Sequence, residues 1–255
     1  MLHKFQVKDL NSQINGQNFI KNINLNLKTG DILIVFGPNG AGKSSLLKSL
    51  MGHYNYPITN GKILLDNKDI TNLPTDEKAR LGLFYFNQNP MELEGVQMLE
   101  FFKVMTKHQN QSFIDFFKKI NNSMKEVGLK NELLKASVNV GMSGGEKKRN
   151  EILQSMILNP KIVLIDEIDS GLDLDAIKMV TDYIDQNKSK WITIIVSHHL
   201  DFLKKIKHNK SIVLIDGKIV AKNQKDIINY INNNGYKSFF KKQQSKTLPI
   251  ACCNK

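Results

Sequence analysis

Apolar and polar residues alternate along residues 4–10 and 23–27, the period of a strand with one buried face. Residues 31–36, 162–165 and 192–196 are instead almost continuously aliphatic, as strands buried on both faces of a parallel sheet are. The first of these runs passes into a glycine-rich stretch and then into residues 44–51, which have helical character. Residues 63–65 and 83–86 read as further short strands. Residues 211–215 and 218–221 flank Asp216-Gly217, a hairpin turn signal. Between about 90 and 138 the period becomes helical, with Leu99, Phe102, Val104, Phe113, Phe116, Phe117 and Ile120 as apolar anchors. No internal repeat is present. The pattern predicts one α/β core built from residues 1–88 and 139–248, a helical subdomain over 89–138, and a loose polar tail over 249–255.

Composition removes several classes. With 255 residues, of which 41% are hydrophobic, the chain has enough apolar surface for a large globular core. No apolar run is long enough to span a bilayer, and the N-terminal residues carry no signal-peptide pattern. A cytoplasmic protein, in a bacterial cytosol or in the stroma or matrix of a derived organelle, is therefore expected, without direct membrane insertion. The net charge of +12 suggests a polyanion partner, but all basic residues except Arg80 and Arg149 are lysines spread along the chain. A solvated surface is the expected reading, with no direct nucleic-acid contact. Cys252 and Cys253 are adjacent in the tail and offer neither a disulfide framework nor a metal site.

The chemistry concentrates at five places. Gly37-Pro38-Asn39-Gly40-Ala41-Gly42-Lys43-Ser44, followed by Ser45, fits the phosphate-loop pattern between a strand and a helix. Its glycines let successive N–H groups face phosphate oxygens, and the helix adds its positive end. Lys43 suits the β- and γ-phosphates and Ser44 suits Mg²⁺. Asp166 and Glu167 stand where a buried strand emerges, the first suited to holding Mg²⁺ and the second to polarising an attacking water. Ser143-Gly144-Gly145-Glu146 reads locally as a capping box, yet a cap does not need two glycines. Those glycines allow close backbone approach at a helix N-terminus, a ready anion site. Gln88 ends one strand where its amide can reach Mg²⁺ and the attacking water; His198 follows another and can meet the γ-phosphate.

Together these segments resemble the ABC ATPase family over nearly the whole chain. The resemblance assigns residues 37–44 to Walker A, Gln88 to the Q-loop, Ser143 to Glu146 to the signature, and residues 162–167 to Walker B. It assigns Ser170-Gly171-Leu172-Asp173 to the D-loop at a subunit interface and His198 to the switch histidine. It implies a P-loop ATPase core of mixed sheet and flanking helices carrying a helical insertion, with ATP and Mg²⁺ as cofactors. It also implies a second copy of the chain closing on the first when ATP is bound. Residues 137–151, ending in Glu146-Lys147-Lys148-Arg149-Asn150-Glu151, are similar to the SufC branch, the ATPases of SUF iron–sulfur cluster assembly. Residues 89–96, 166–173 and Gly235-Tyr236 point the same way. That branch implies soluble SufB- and SufD-like scaffold partners docking near residues 88–101. The alternative is the nucleotide-binding subunit of a membrane transporter. Ile14 falls where many ABC ATPases place an aromatic ring on adenine, so weak base stacking is expected.

Overall fold

A computed structural model describes residues 2–109, 112–168, 174–223, 227–236 and 239. The expected D-loop at 170–173, with Asp173, and both cysteines lie outside the described residues.

Three sheets organise the chain. β1 (Lys4–Ile14), β2 (Gln17–Lys28), β4 (Ile58–Leu65) and β5 (Lys68–Asp69) form an antiparallel sheet in the order β2-β1-β4-β5. β3 (Ile32–Phe36) lies instead in a six-stranded sheet with β6 (Leu83–Phe86), β9 (Ile162–Asp166), β10 (Ile192–Val196), β11 (Lys210–Ile215) and β12 (Lys218–Lys222). Its order is β12-β11-β3-β10-β9-β6, and every pairing is parallel except the β11–β12 hairpin. β7 (Leu93–Gln97) and β8 (Ser137–Val138) make a small antiparallel pair of their own.

The continuous aliphatic runs are explained by burial on both faces. In β3, Ile32, Ile34 and Phe36 enter one core, while Leu33 and Val35 enter the other. β9 divides likewise, Val163 and Ile165 facing one side and Ile162 and Leu164 the other. The first core is roofed by α3 (Met98–Thr106), α4 (Phe113–Val127), α5 (Gly144–Leu158) and α6 (Leu174–Asn187). The second lies between the antiparallel sheet and α1 (Lys43–Met51), beside α2 (Thr75–Arg80). α7 (Leu200–Lys205) and α8 (Ile227–Asn234) close the first core at the far end of the chain.

Residues 90–138 are less uniformly helical than their periodicity predicts. Leu93–Gln97 is extended, and Gly95 takes a φ of 76° within it, which no helical turn accommodates. Among the expected anchors, Phe102, Phe116 and Ile120 are buried, but Val104 and Phe113 are 72% and 70% exposed. Val104 is two residues from Phe102 and so faces away from it on the helix. Phe113 opens α4, where its ring lies 4.6 Å from that of Phe117.

Candidate active site

The β3–α1 junction builds the floor of the site. A Cβ at Gly37 would lie 2.4 Å from the Leu214 carbonyl oxygen, so β11 leaves room there for glycine alone. The Gly37 N–H donates to the Tyr236 hydroxyl at 3.3 Å, and Gly217 N–H donates to the Ala41 carbonyl at 3.0 Å. The loop is thus held from behind by the end of the chain. α1 then starts with no acidic residue in its first turn, which leaves its positive end uncompensated by side chains. Lys43 is 5% exposed and donates from Nζ to the Gly37 and Pro38 carbonyls at 2.9 and 3.0 Å. Burial pulls its ammonium below the usual lysine range, while Glu167 and Asp166 oppose that shift.

Asp166 and Glu167 face different partners. The Asp166 carboxylate accepts from Ser44 Oγ at 2.8 Å and from the Tyr85 hydroxyl at 2.5 Å. Both its oxygens are therefore fixed in direction. Burial and the adjacent Asp166 charge push the Tyr85 phenol well above its ordinary value, so it stays a donor. The Glu167 Oε2 accepts from Gln88 Nε2 at 2.7 Å, and its Oε1 makes a short contact with His198 Nε2. Glu167 also holds a φ of 48°, a left-handed conformation uncommon for its residue type. Its N–H donates to the Val196 carbonyl at 2.9 Å, which fixes the peptide in that turn.

A cavity of about 430 Å³ joins these parts. It is lined by Phe19, the loop from Asn39 to Ser45, Glu167 and His198. Four of the sequence-derived groups are therefore brought together: the loop, the Asp166–Glu167 pair, Gln88 and His198. Ser143 to Glu146 do not line that cavity. They form the expected capping box: Ser143 Oγ accepts from the Glu146 N–H at 3.3 Å, and Glu146 Oε2 accepts from the Ser143 N–H at 2.9 Å. These bonds hold the Glu146 carboxyl below the usual range. A Cβ added at Gly145 would meet nothing within 4 Å, so the chain's own packing does not require glycine there.

Two residues of the site escaped the sequence reading. Tyr85 sits in the middle of an apolar strand, where its ring reads as core and only the geometry reveals what its hydroxyl reaches. Phe19 puts an aromatic ring beside the loop from β2, while Ile14 does not line the cavity. The signal was present, since Phe19 is the lone aromatic of β2. The donors also suit Mg²⁺. Ser44, Asp166 and Gln88 offer oxygen atoms, and no group of three His, Cys, Asp or Glu side chains gathers among the described residues.

This floor, cavity and carboxylate pair define a P-loop nucleotide hydrolase of the cassette type. A family model described as "ABC transporter" matches residues 20–170, and the chain belongs to that family: it is an ABC ATPase that binds ATP. A probable ABC transporter ATP-binding protein of Streptococcus pyogenes serotype M3 is 40% identical over 237 residues, spanning 91% of this chain and 93% of that one. The probable ATP-dependent transporter ycf16 of Cyanophora paradoxa is 36% identical over 239 residues, spanning 91% and 92%. Among solved structures, a dimeric ATP-binding cassette in a post-hydrolysis state with ADP and phosphate superposes with a TM-score of 0.73 at 22% identity. It covers 86% of this chain and 98% of that one. No helix among the described residues is long and apolar enough to cross a membrane.

Proposed function

We propose that this chain is the ATP-hydrolysing subunit of an iron–sulfur cluster assembly complex, using ATP-driven pairing to remodel soluble SufB- and SufD-like scaffolds. The observation that carries the reading is the segment from Ser137 to Glu151, whose Glu146-Lys147-Lys148-Arg149-Asn150 wording is that of the SufC branch. Open space around Gly145 and the separation of the signature from the loop's cavity support a contact made with another copy. Each ATP is held by Lys43, Ser44 and the loop amides of one copy, and by Ser143 and Gly145 of the other. Gln88 and His198 aim the Glu167 carboxylate, which orients water for in-line attack on the γ-phosphate. Ser44, Asp166 and Gln88 would hold Mg²⁺, which would offset negative charge on the phosphates. Tyr85 and Ser44 keep the Asp166 carboxylate turned toward that position.

Glu167→Gln tests the site. The variant is expected to lose at least about a hundredfold in kcat. It is also expected to accumulate, with ATP, as a species of twice the 29.0 kDa chain mass by light scattering. Undiminished hydrolysis would overturn the assignment. An apolar cleft of about 440 Å³ beside Gln88, lined in part by Phe84, Tyr85, Asn87, Phe101 and Met105, supports scaffold docking on that face. Val96 is 40% exposed on β7 nearby, and Val96→Asp is expected to spare ATP hydrolysis while losing the scaffold in a pull-down.

The second reading, a membrane transporter's nucleotide-binding subunit, is favoured by the names of the relatives. Anaerobic isolation from native cells, followed by mass spectrometry of what co-purifies, separates the two. Soluble SufB- and SufD-like proteins support cluster assembly; multispanning membrane proteins recovered only in detergent overturn it.

A further inference from the structure

Lys148 and Glu151 lie one turn apart on α5, just beyond the signature, and are 2% and 3% exposed. They pair at 3.0 Å. An ion pair so buried is costly unless further hydrogen bonds engage both charges, and here both reach the same residue. Glu151 Oε1 accepts from the Asn87 N–H at 2.9 Å, and Lys148 Nζ donates to the Asn87 carbonyl oxygen in a short contact. β6 ends at Phe86 on the sheet edge, so Asn87 lies beyond the strand ladder. The next residue is Gln88, whose amide holds Glu167 at 2.7 Å. Burial raises the Glu151 carboxyl, and Lys148 and the Asn87 peptide act against that shift, which is the sign expected when the grip favours the charged form.

We infer that Lys148 and Glu151 are positioning residues for hydrolysis: they grip the backbone of Asn87 on both sides of its Cα, so that the signature helix sets the place of Gln88 and, through it, of Glu167. The helix that carries Ser143 and Gly145 is thereby linked through the backbone of a single residue to the carboxylate that orients water. Any shift of α5 is transmitted to Gln88 by a rigid buried pair and not by the outer Lys147–Glu92 pair, which is solvent-exposed and weak. The inference rests on Glu167 as the water-orienting residue. It is independent of which protein docks outside.

The test is a cycle of variants in the full-length protein with ATP and Mg²⁺. Lys148→Met/Glu151→Gln removes both charges together and leaves no lone buried ion. It is expected to lower kcat by about tenfold or more with KM within about twofold, the pattern of an interaction made in the transition state. In a Gln88→Ala background the same pair of changes is expected to cost no further activity. An unchanged kcat in the folded double variant, or a full additive loss in the Gln88→Ala background, would overturn the inference. Should the double variant fail to fold, hydrogen exchange of the unaltered protein decides. Asn87 amide protection comparable to the central strands supports the grip, and exchange as fast as an open loop overturns it. Retained turnover in Glu167→Gln would instead point to the site reading as the one at fault.

Discussion

Lys78 illustrates how far a single side chain departs from what its letter suggests. It is fully buried, and its Nζ donates to the Leu50 carbonyl at 3.1 Å, near the end of α1, where a cation complements the helix dipole. Burial lowers its pKa from 10.5 to about 8. Between those values the unfolded chain binds more protons than the folded one, so stability rises with pH across that window. Folded Lys78 thus costs stability at neutral pH, by up to about 3 kcal/mol at the usual conversion. Denaturant midpoints from pH 7 to pH 10 are expected to rise for the unaltered protein relative to Lys78→Met. A parallel pair of curves would contradict the shift. In sequence, Lys78 is one more lysine among many. The motif residues were legible because their chemistry is tied to spacing, as with Lys43 after Gly42. Tyr85, Phe19 and Lys78 were not, because what each touches lies 81, 23 or 28 residues away in sequence.

At the scale of elements, the β11–β12 hairpin is the clearest case of structure acting at a distance from the motif. Its turn residues, Asp216 and Gly217, have φ values of 48° and 74°, as the Asp-Gly pair predicts. The sequence signal stops there. In the fold, Gly217 also accepts from Lys21 N–H at 2.9 Å and donates to Ala41, so the turn is wedged between β2 and the phosphate loop. A Cβ at Gly217 would lie 1.8 Å from the Phe19 carbonyl oxygen. Gly217→Ala is therefore expected to displace Phe19 and the loop together and to weaken nucleotide binding about tenfold or more, roughly 1.4 kcal/mol. Calorimetric titration with ATP checks it, and unaltered affinity would show the turn to be a bystander. Strands with continuous aliphatic character were readable from pattern alone, since burial on both faces leaves little alternative. The extended residues 93–97 were not, because their pairing with 137–138 is set by tertiary contact across the helical stretch.

At the scale of the molecule, sheet order and chain order disagree. β3 carries the phosphate loop, and its hydrogen-bonded neighbours are β10 and β11, both from the last quarter of the chain. Tyr236, later still, supplies the acceptor for Gly37. Fold class was legible early because the strand–loop–helix unit is local. The completed site was not, because its back wall is assembled from residues about 180 to 200 positions downstream.

That order has a consequence during synthesis. A nascent chain emerging from the ribosome makes its phosphate loop early but has no partner strand for residues 32–36 until about three quarters of translation has passed. For most of that interval an aliphatic segment with two open edges is available to other chains. Ribosome-stalled chains ending before residue 192 are expected to be retained by holdase chaperones and not by immobilised ATP. Chains carried through residue 240 are expected to reverse that preference.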